Sequence, residues 1–298
     1  MRILIWVIVL CLITSAQKRF FAEYFVQKYN LKLPEITQEM LNVANLSHTS
    51  DLWEYFYKGN THKLDSIIEN LTIQGFPPSR KIMIYIYKGN TTKERLISIG
   101  LDNGDTLNNY VRTFTDDFRT KESLDLETNC IWKSRFDERG IKLLDVRKCP
   151  DEKEFGGQVF NNIIKDEYIE SIETYRGEID SNSIRRYYLT PFDSIAADFM
   201  VKKGKTPFIV RLNTYNKKNK KQASFAFGIY SNINEVLNFD YYTYTVTNKL
   251  HRVYHFEVKN RNAKDKEYEL VNFTEYEYDK LGRKIKKTTK VTPDKKNE

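Results

Sequence analysis

The sequence predicts an α+β protein: N-terminal helices with short hairpins, then an antiparallel β-meander of five to six strands packed by one amphipathic helix. Three observations carry this. Apolar residues alternate strictly through the last stretch of the chain, from Phe208 to Val291. A helical stripe of Phe192, Ile195, Ala196, Phe199 and Met200 precedes that alternation. Near the N-terminus, Phe21, Phe25 and Tyr29 recur at four-residue spacing.

Met1-Arg2 is a short basic start, and Ile3 to Ile13 is an unbroken apolar run of 11 residues. Thr14-Ser15-Ala16 supplies small residues before Gln17. This is the pattern of a secretory signal peptide over residues 1–16, too short to span a bilayer. The expected location is secreted or periplasmic, in the cell envelope. No later stretch approaches the ~20 apolar residues that a membrane helix needs. Export makes sequons at Asn45, Asn70, Asn90 and Asn272 relevant only in a eukaryotic pathway.

Two regions follow. Residues 17–150 read as a helical region with β-hairpins. Helices are expected over Arg19–Asn30 and Glu35–Leu46, from Ser50 to Gly59, and over Lys63–Leu71. Gly75-Phe76-Pro77-Pro78 ends them. Lys81–Tyr87 and Arg95–Leu101 read as strands around Gly89-Asn90. Leu107, Val111, Phe114 and Phe118 suggest a further helix. Asn129–Arg135 and Ile141–Arg147 form a second hairpin. Cys130 and Cys149 flank it, and in an oxidising compartment a lone pair joins; the bridge closes a loop of about 20 residues and stabilises by about 3 kcal/mol.

Cys149 to Gly157 is the candidate boundary. Residues 151–298 read as a sheet domain with a helix over 191–203, capped by Thr190, opened by Pro191 and stopped by Gly204. The sheet ends in Asn272–Thr289, a strand, a tight turn and a strand. Asp279 opens the turn and Gly282 supplies the positive φ that closes a three-residue loop with a bulge. Phe136-Asp137 to Gly140 shares that turn chemistry.

At 298 residues, with 40% hydrophobic and 30% charged residues, the chain can bury a core. Its 20 tyrosines and 18 phenylalanines favour pleated surfaces. The net charge is +8, and two blocks carry most of it. Lys202–Lys221 holds eight basic residues and no acid; Lys280–Glu298 holds eight against Asp294 and Glu298. Such patches attract polyanions, and export disfavours nucleic acid among them. The expected partners are an anionic envelope polymer, a glycan or another secreted protein. Lys284, Lys286 and Lys290 line one face of the strand expected to end the sheet, where lysines also block edge pairing. Tyr241, Tyr276 and Tyr278 offer aromatic planes to sugar rings, or pair across strands.

His251 and His255 stand four apart. On a strand that is roughly 13 Å, too far to share a metal. No nucleophile elbow, phosphate loop, zinc-protease or dinucleotide motif occurs, so no cofactor or metal is expected. Asp116-Asp117 and Asp166-Glu167 read as solvated acids. The sequence therefore favours an exported, non-enzymatic binding or structural protein using a sheet face and a basic edge. The alternative is a secreted hydrolase whose carboxylate pair meets only in space, acting on an envelope or extracellular polymer.

Tyr276-Glu277-Tyr278-Asp279-Lys280-Leu281-Gly282-Arg283 resembles the YD-repeat signature of Rhs-type secreted proteins. Phe136-Asp137 to Gly140 is a partial echo, with Ile141 in place of the arginine. Family members carry many copies that build a shell; here the motif occurs once and covers about twenty of 298 residues. The resemblance implies a β-hairpin in a surface or secreted protein and no catalytic residue.

Overall fold

A computed structural model describes residues 18–72, 77–88, 91–101, 104–115, 119–139, 141–153, 156–175, 178–179, 184–202, 207–228, 235–260 and 266–292. The expected leader, the acids Asp116-Asp117 and the glycines Gly89, Gly140 and Gly204 lie outside them.

Among the described residues nineteen strands form one antiparallel sheet. The first half holds β1 (His48–Tyr57), β2 (Leu64–Leu71), β3 (Ser79–Lys88), β4 (Thr91–Gly100), β5 (Thr106–Thr115), β6 (Thr120–Asp125), β7 (Ile131–Phe136), β8 (Lys142–Lys148) and β9 (Gly156–Ile164). The second holds β10 (Ile169–Tyr175), β11 (Glu178–Ile179), β12 (Ile184–Leu189), β13 (Ile195–Val201), β14 (Phe208–Tyr215) and β15 (Lys221–Phe227). It ends with β16 (Val236–Tyr244), β17 (Leu250–Val258), β18 (Tyr268–Tyr278) and β19 (Lys284–Val291).

Each strand pairs with the next, and β10 pairs with β12 past the two-residue β11. β19 then pairs back onto β1, His48 facing Val291 and Glu54 facing Lys286. The result is a closed barrel of eighteen strands with β11 as an appendage. Barrels of this size leave an open lumen.

This overturns the α+β expectation. The region expected to be helical is mostly sheet, and the meander is a whole barrel. Pairing also continues across the Cys149–Gly157 segment, through β8 and β9. The reasons are local. Ser50–Gly59 carries aromatics on both faces, so Trp53 and Phe56 mimic helical spacing although Trp53, Tyr55 and Tyr57 share one side of β1. The helices expected over Lys63–Leu71 and from Leu107 are replaced by β2 and β5, whose sequences mix apolar and polar residues at both parities. The expected helix at 191–203 is a turn followed by β13. Ala196, Ala197, Asp198 and Phe199 are all buried because both faces of this strand are covered, and a run buried on both sides has no strand alternation to show. Thr190 does cap, but it caps a turn: its hydroxyl accepts from the backbone N–H of Phe192 and Ser194, each at 3.2 Å.

One helix stands where the spacing predicts it, α1 (Ala22–Tyr29), ended by Asn30 at φ 49°. Glu35–Leu46 is irregular chain with turns. Together they form an arm over one face of β13 to β18, where Phe25 and Leu46 join Phe199, Phe225, Phe239, Phe256 and Phe273 in the main core. Phe239 and Phe256 stack at 4.6 Å between ring centroids.

Strand β4 tells inside from outside. Thr92, Glu94, Leu96 and Ser98 are buried, whereas Lys93 and Arg95 between them are exposed. The buried set continues across the register to Tyr85, Met83, Ile67 and Glu69. This face is concave and points into the lumen. Carried around the ring, the same parity puts the arm and the main core on the outer wall.

Strands β1, β7 and β9, and then β12, β14, β16 and β18, end in turns at one mouth. Five of these turns share one construction. Asp137, Thr190, Asn216, Thr245 and Asp279 each donate a backbone N–H to the carbonyl four residues on, at 2.7–2.9 Å. Their side-chain oxygens accept from backbone N–H groups inside the turn. The fourth residue of four of them has positive φ: Asp193 59°, Asn219 54°, Asn248 61° and Gly282 74°. Each turn adds a one-residue register shift.

At the opposite mouth Cys130 and Cys149 form a disulfide that ties the connection before β7 to the one after β8. Replacing both by serine should lower the unfolding free energy by about 3 kcal/mol. Urea unfolding followed by tryptophan fluorescence measures it; an unchanged midpoint would show that β7 and β8 already hold these ends together without the bridge.

Candidate functional site

The inward face is polar and aromatic. At the turn mouth, tyrosines that close the rising strands donate to backbone carbonyls that open the neighbouring strands. Tyr57 reaches Lys284 at 2.7 Å, Tyr215 reaches Ile195 at 2.9 Å, Tyr244 reaches Lys221 at 2.7 Å and Tyr278 reaches Leu250 at 2.8 Å. Cations cover two of these rings: Arg283 lies 4.7 Å from the centroid of Tyr57, and Lys249 lies 5.3 Å from that of Tyr278. Arg283 also donates to the carbonyls of Gly59 and Thr61, so the β18–β19 turn is fastened to the β1–β2 turn.

Below this girdle, ion pairs cross between neighbouring strands. Lys81 meets Glu69 at 3.1 Å, Arg112 meets Glu94 at 2.9 Å, Lys287 meets Asp51 at 3.1 Å and Arg185 meets Asp198 at 2.7 Å. Glu94 also accepts from the Tyr85 hydroxyl at 2.6 Å. These carboxylates are each committed to a cation, which buried charge requires. No two of them form an acid–base pair. Among the described residues no group of three or more His, Cys, Asp or Glu is placed to hold a metal.

One opening lies in the lumen against β12 to β15, a cavity of about 920 Å³. Tyr187, Asp198, Arg211, Asn213, Tyr215 and Lys221 form its wall, and Arg139 reaches it from the β7–β8 turn. Asp198 and Arg211 face each other in register. Burial raises the Asp198 carboxyl, against the opposing pull of Arg185 and Arg211. Burial pushes the Tyr187 and Tyr215 hydroxyls up to about 12, so both stay neutral donors and acceptors. Burial lowers the Lys221 ammonium, and Arg211 beside it adds to the effect.

The six residues singled out in the sequence do not form one surface. Tyr276, Tyr278 and Lys284 point inward, with the Lys284 ammonium 4.9 Å from the Tyr276 centroid and 5.3 Å from that of Tyr55. Tyr241 lies on the outer wall against the core under the arm. Lys286 is also outside, 3.3 Å from Glu277, and Lys290 lies 5.9 Å from the Phe273 centroid. The bulge between Glu277 and Tyr278 separates Lys284 from Lys286 and Lys290. There is no free edge, because β19 pairs on both sides. Arg211 and Lys221 belong to the basic block 202–221, but nothing in their spacing shows that they meet Asp198 and Asn213.

His255 lies on the inward face of β17. Its Nδ1 is 2.7 Å from Asp240 and its Nε2 is 3.3 Å from Glu257. His251 contacts Glu275 at 3.6 Å.

No protein-family model matches the chain, and no curated protein is similar to it in sequence. Among solved structures, a porin-like protein from Bacteroides uniformis is similar at 10% identity and a TM-score of 0.36, over 83% of this chain and 96% of that one.

The Asp240 hydrogen bond raises the His255 pKa above its ordinary 6.5, with burial opposing and Glu257 adding. A raised folded value stabilises the fold below the unfolded pKa, and that gain disappears as pH rises through the folded value. The urea midpoint of wild type should therefore exceed that of His255→Gln most at roughly pH 5–6, with the gap narrowing above pH ~7. A gap that widens with pH would reverse the assignment.

Proposed function

We propose that this chain is an exported, non-enzymatic binding protein of the cell envelope that holds its ligand on the inward face of the barrel. The sequence pattern of residues 1–16 supports export. The carrying observation is the contrast between the two faces of the sheet. Inward, aromatic rings and cations converge on a lumen where Asp51, Glu69, Glu94 and Asp198 are each paired with a cation of a neighbouring strand. Outward, the wall carries charge at mid-height: Glu54 on β1, Arg95 on β4 and the Glu122–Lys133 pair at 2.9 Å.

That outer pattern suits water. An arginine or lysine facing lipid at the bilayer midplane costs roughly 2–4 kcal/mol, and strands that span a membrane keep an apolar outer band about 25 Å tall. No described helix is long and apolar enough to cross a membrane, which leaves strands out of account; the mid-height charges are the argument for the strands. The barrel is thus read as working in an aqueous part of the envelope. Its net charge of +8 favours an anionic polymer or glycan as partner.

The mature chain, Gln17 to Glu298, tests this directly. It should purify without detergent and should be retained by polyanionic envelope polymer. Retention should fall about tenfold or more between ~0.05 M and ~0.5 M salt as screening shortens from roughly 14 Å to roughly 4 Å. A detergent requirement together with ion conductance across a bilayer would overturn the aqueous reading. Release of cleaved polymer would replace binding with hydrolysis.

A further inference from the structure

We infer that the cavity against β12 to β15 is a binding site for a small hydroxylated carboxylate, of the class of a hexuronic acid. The inference rests on the binding-protein reading and names the ligand chemistry of that same inward face. It stands on two independent observations.

The first is unspent positive charge. Arg211 and Lys221 both line the cavity, and among the described residues neither has a carboxylate within ion-pair distance. Arg185 is committed to Asp198 at 2.7 Å, and Asp240 to His255 at 2.7 Å. Arg139 is bound to Asp137 and Arg19 to Asp193 at this mouth, which leaves Arg211 and Lys221 as the cations open to an incoming anion. An arginine fork fits a carboxylate, with two N–H donors matched to its two oxygens, and the Lys221 ammonium adds positive charge to the same cavity.

The second is unspent acceptors. Asp198 and Asn213 are 8% and 4% exposed, and both line the cavity. Asp198 Oδ1 and Asn213 Oδ1 have no partner, although Asp198 Oδ2 takes Arg185 and the Asn213 amide donates to Ile195 at 2.8 Å. Buried acceptors need donors. A simple anion such as acetate has none to give, whereas sugar hydroxyls do. The neutral Tyr187 and Tyr215 add ring surface for a pyranose and hydroxyls for its edge. A volume of about 920 Å³ holds more than one sugar unit, so the same chemistry could arrive as a free acid or as a residue of an acidic polysaccharide.

Isothermal titration of the mature chain with glucuronate, glucose, acetate and inorganic phosphate, all at one ionic strength, tests the site. Glucuronate should bind saturably, and the other three should bind at least about tenfold more weakly. Arg211→Gln should weaken glucuronate about tenfold or more and leave glucose unchanged, while Arg95→Gln on the outer wall should change nothing. Arg211 is exposed in the lumen, so its replacement spares the core. A galacturonate trimer that binds more tightly than the monomer supports the site with a polymer as its source; equal binding supports it with the free acid. Glucose, acetate or phosphate binding as tightly as glucuronate overturns the assignment, as does an Arg211→Gln variant that binds normally. Retention of polyanionic polymer unaffected by Arg211→Gln would sink this site and leave the broader binding reading intact. If neither the polymer nor glucuronate binds, both readings fall.

Discussion

Everything in this molecule depends on the pairing of β1 with β19. It joins residues 48–54 to residues 286–291, the two ends of the described sheet. Without it the sheet would present two long edges, each a row of unpaired N–H and C=O groups. With it, each of the eighteen strands of the ring is paired on both sides and the inward and outward faces are fixed for the whole ring. A register slip of one residue at this seam would move Trp53 and Lys287 out of the lumen and bring Glu54 and Lys286 in. Paired contacts hold it in place. Lys287 reaches Asp51 at 3.1 Å and lies 4.6 Å from the Trp53 centroid, and Arg283 grips the β1–β2 turn.

The repeated turn is the second constraint. A five-residue connection whose first side chain accepts from the turn's own backbone, and whose fourth residue has positive φ, adds one residue to one strand. That extra residue increases local twist, which a ring of strands needs if it is to close. The tyrosine that ends the rising strand then bonds the carbonyl at the foot of the neighbouring pair. Turn, bulge and tyrosine act together along one mouth, so strand ends that would otherwise fray are fastened to their neighbours.

This explains which features were legible in the sequence. The Asp279–Gly282 turn could be read because its chemistry is local: an aspartate, two free positions and a glycine. Its likeness to Asp137–Gly140 was legible for the same reason. That the turns on Thr190, Asn216 and Thr245 share this construction was not legible, since threonine and asparagine replace aspartate, and aspartate or asparagine takes the glycine's place. The strands of the C-terminal half show clean alternation because the arm makes their outer face apolar and the lumen makes their inner face polar. β1, β2 and β5 show none: aromatics sit on both sides of β1, and in β2 and β5 apolar and polar residues mix at both parities. β13 failed for the opposite reason, with both of its faces covered. Lys284 and Lys286 looked like members of one face because a bulge leaves no trace in spacing. The meeting of Arg211 and Lys221 with Asp198 and Asn213 depends on register across three strands, which no single stretch of sequence contains.

The barrel's two halves are built differently, and this bears on where binding can be accurate. Around β3 and β4 the wall is one layer thick, with Met83, Tyr85 and Leu96 packed on the lumen side and Ile84 and Ile86 exposed outside. From β13 to β18 the arm adds a second layer, and its aromatic core locks the outer side chains of the same strands whose inner side chains form the cavity. Phe199 packs against Phe25 and Tyr29 on one side of β13, while Asp198 faces the lumen on the other. A site is held to its geometry by what packs behind it. Here that packing lies through the sheet, and the arm at the start of the described chain supplies it. Docking the arm therefore does more than bury apolar surface: it stiffens a stretch of wall where unpaired cations and unpaired acceptors face the same space.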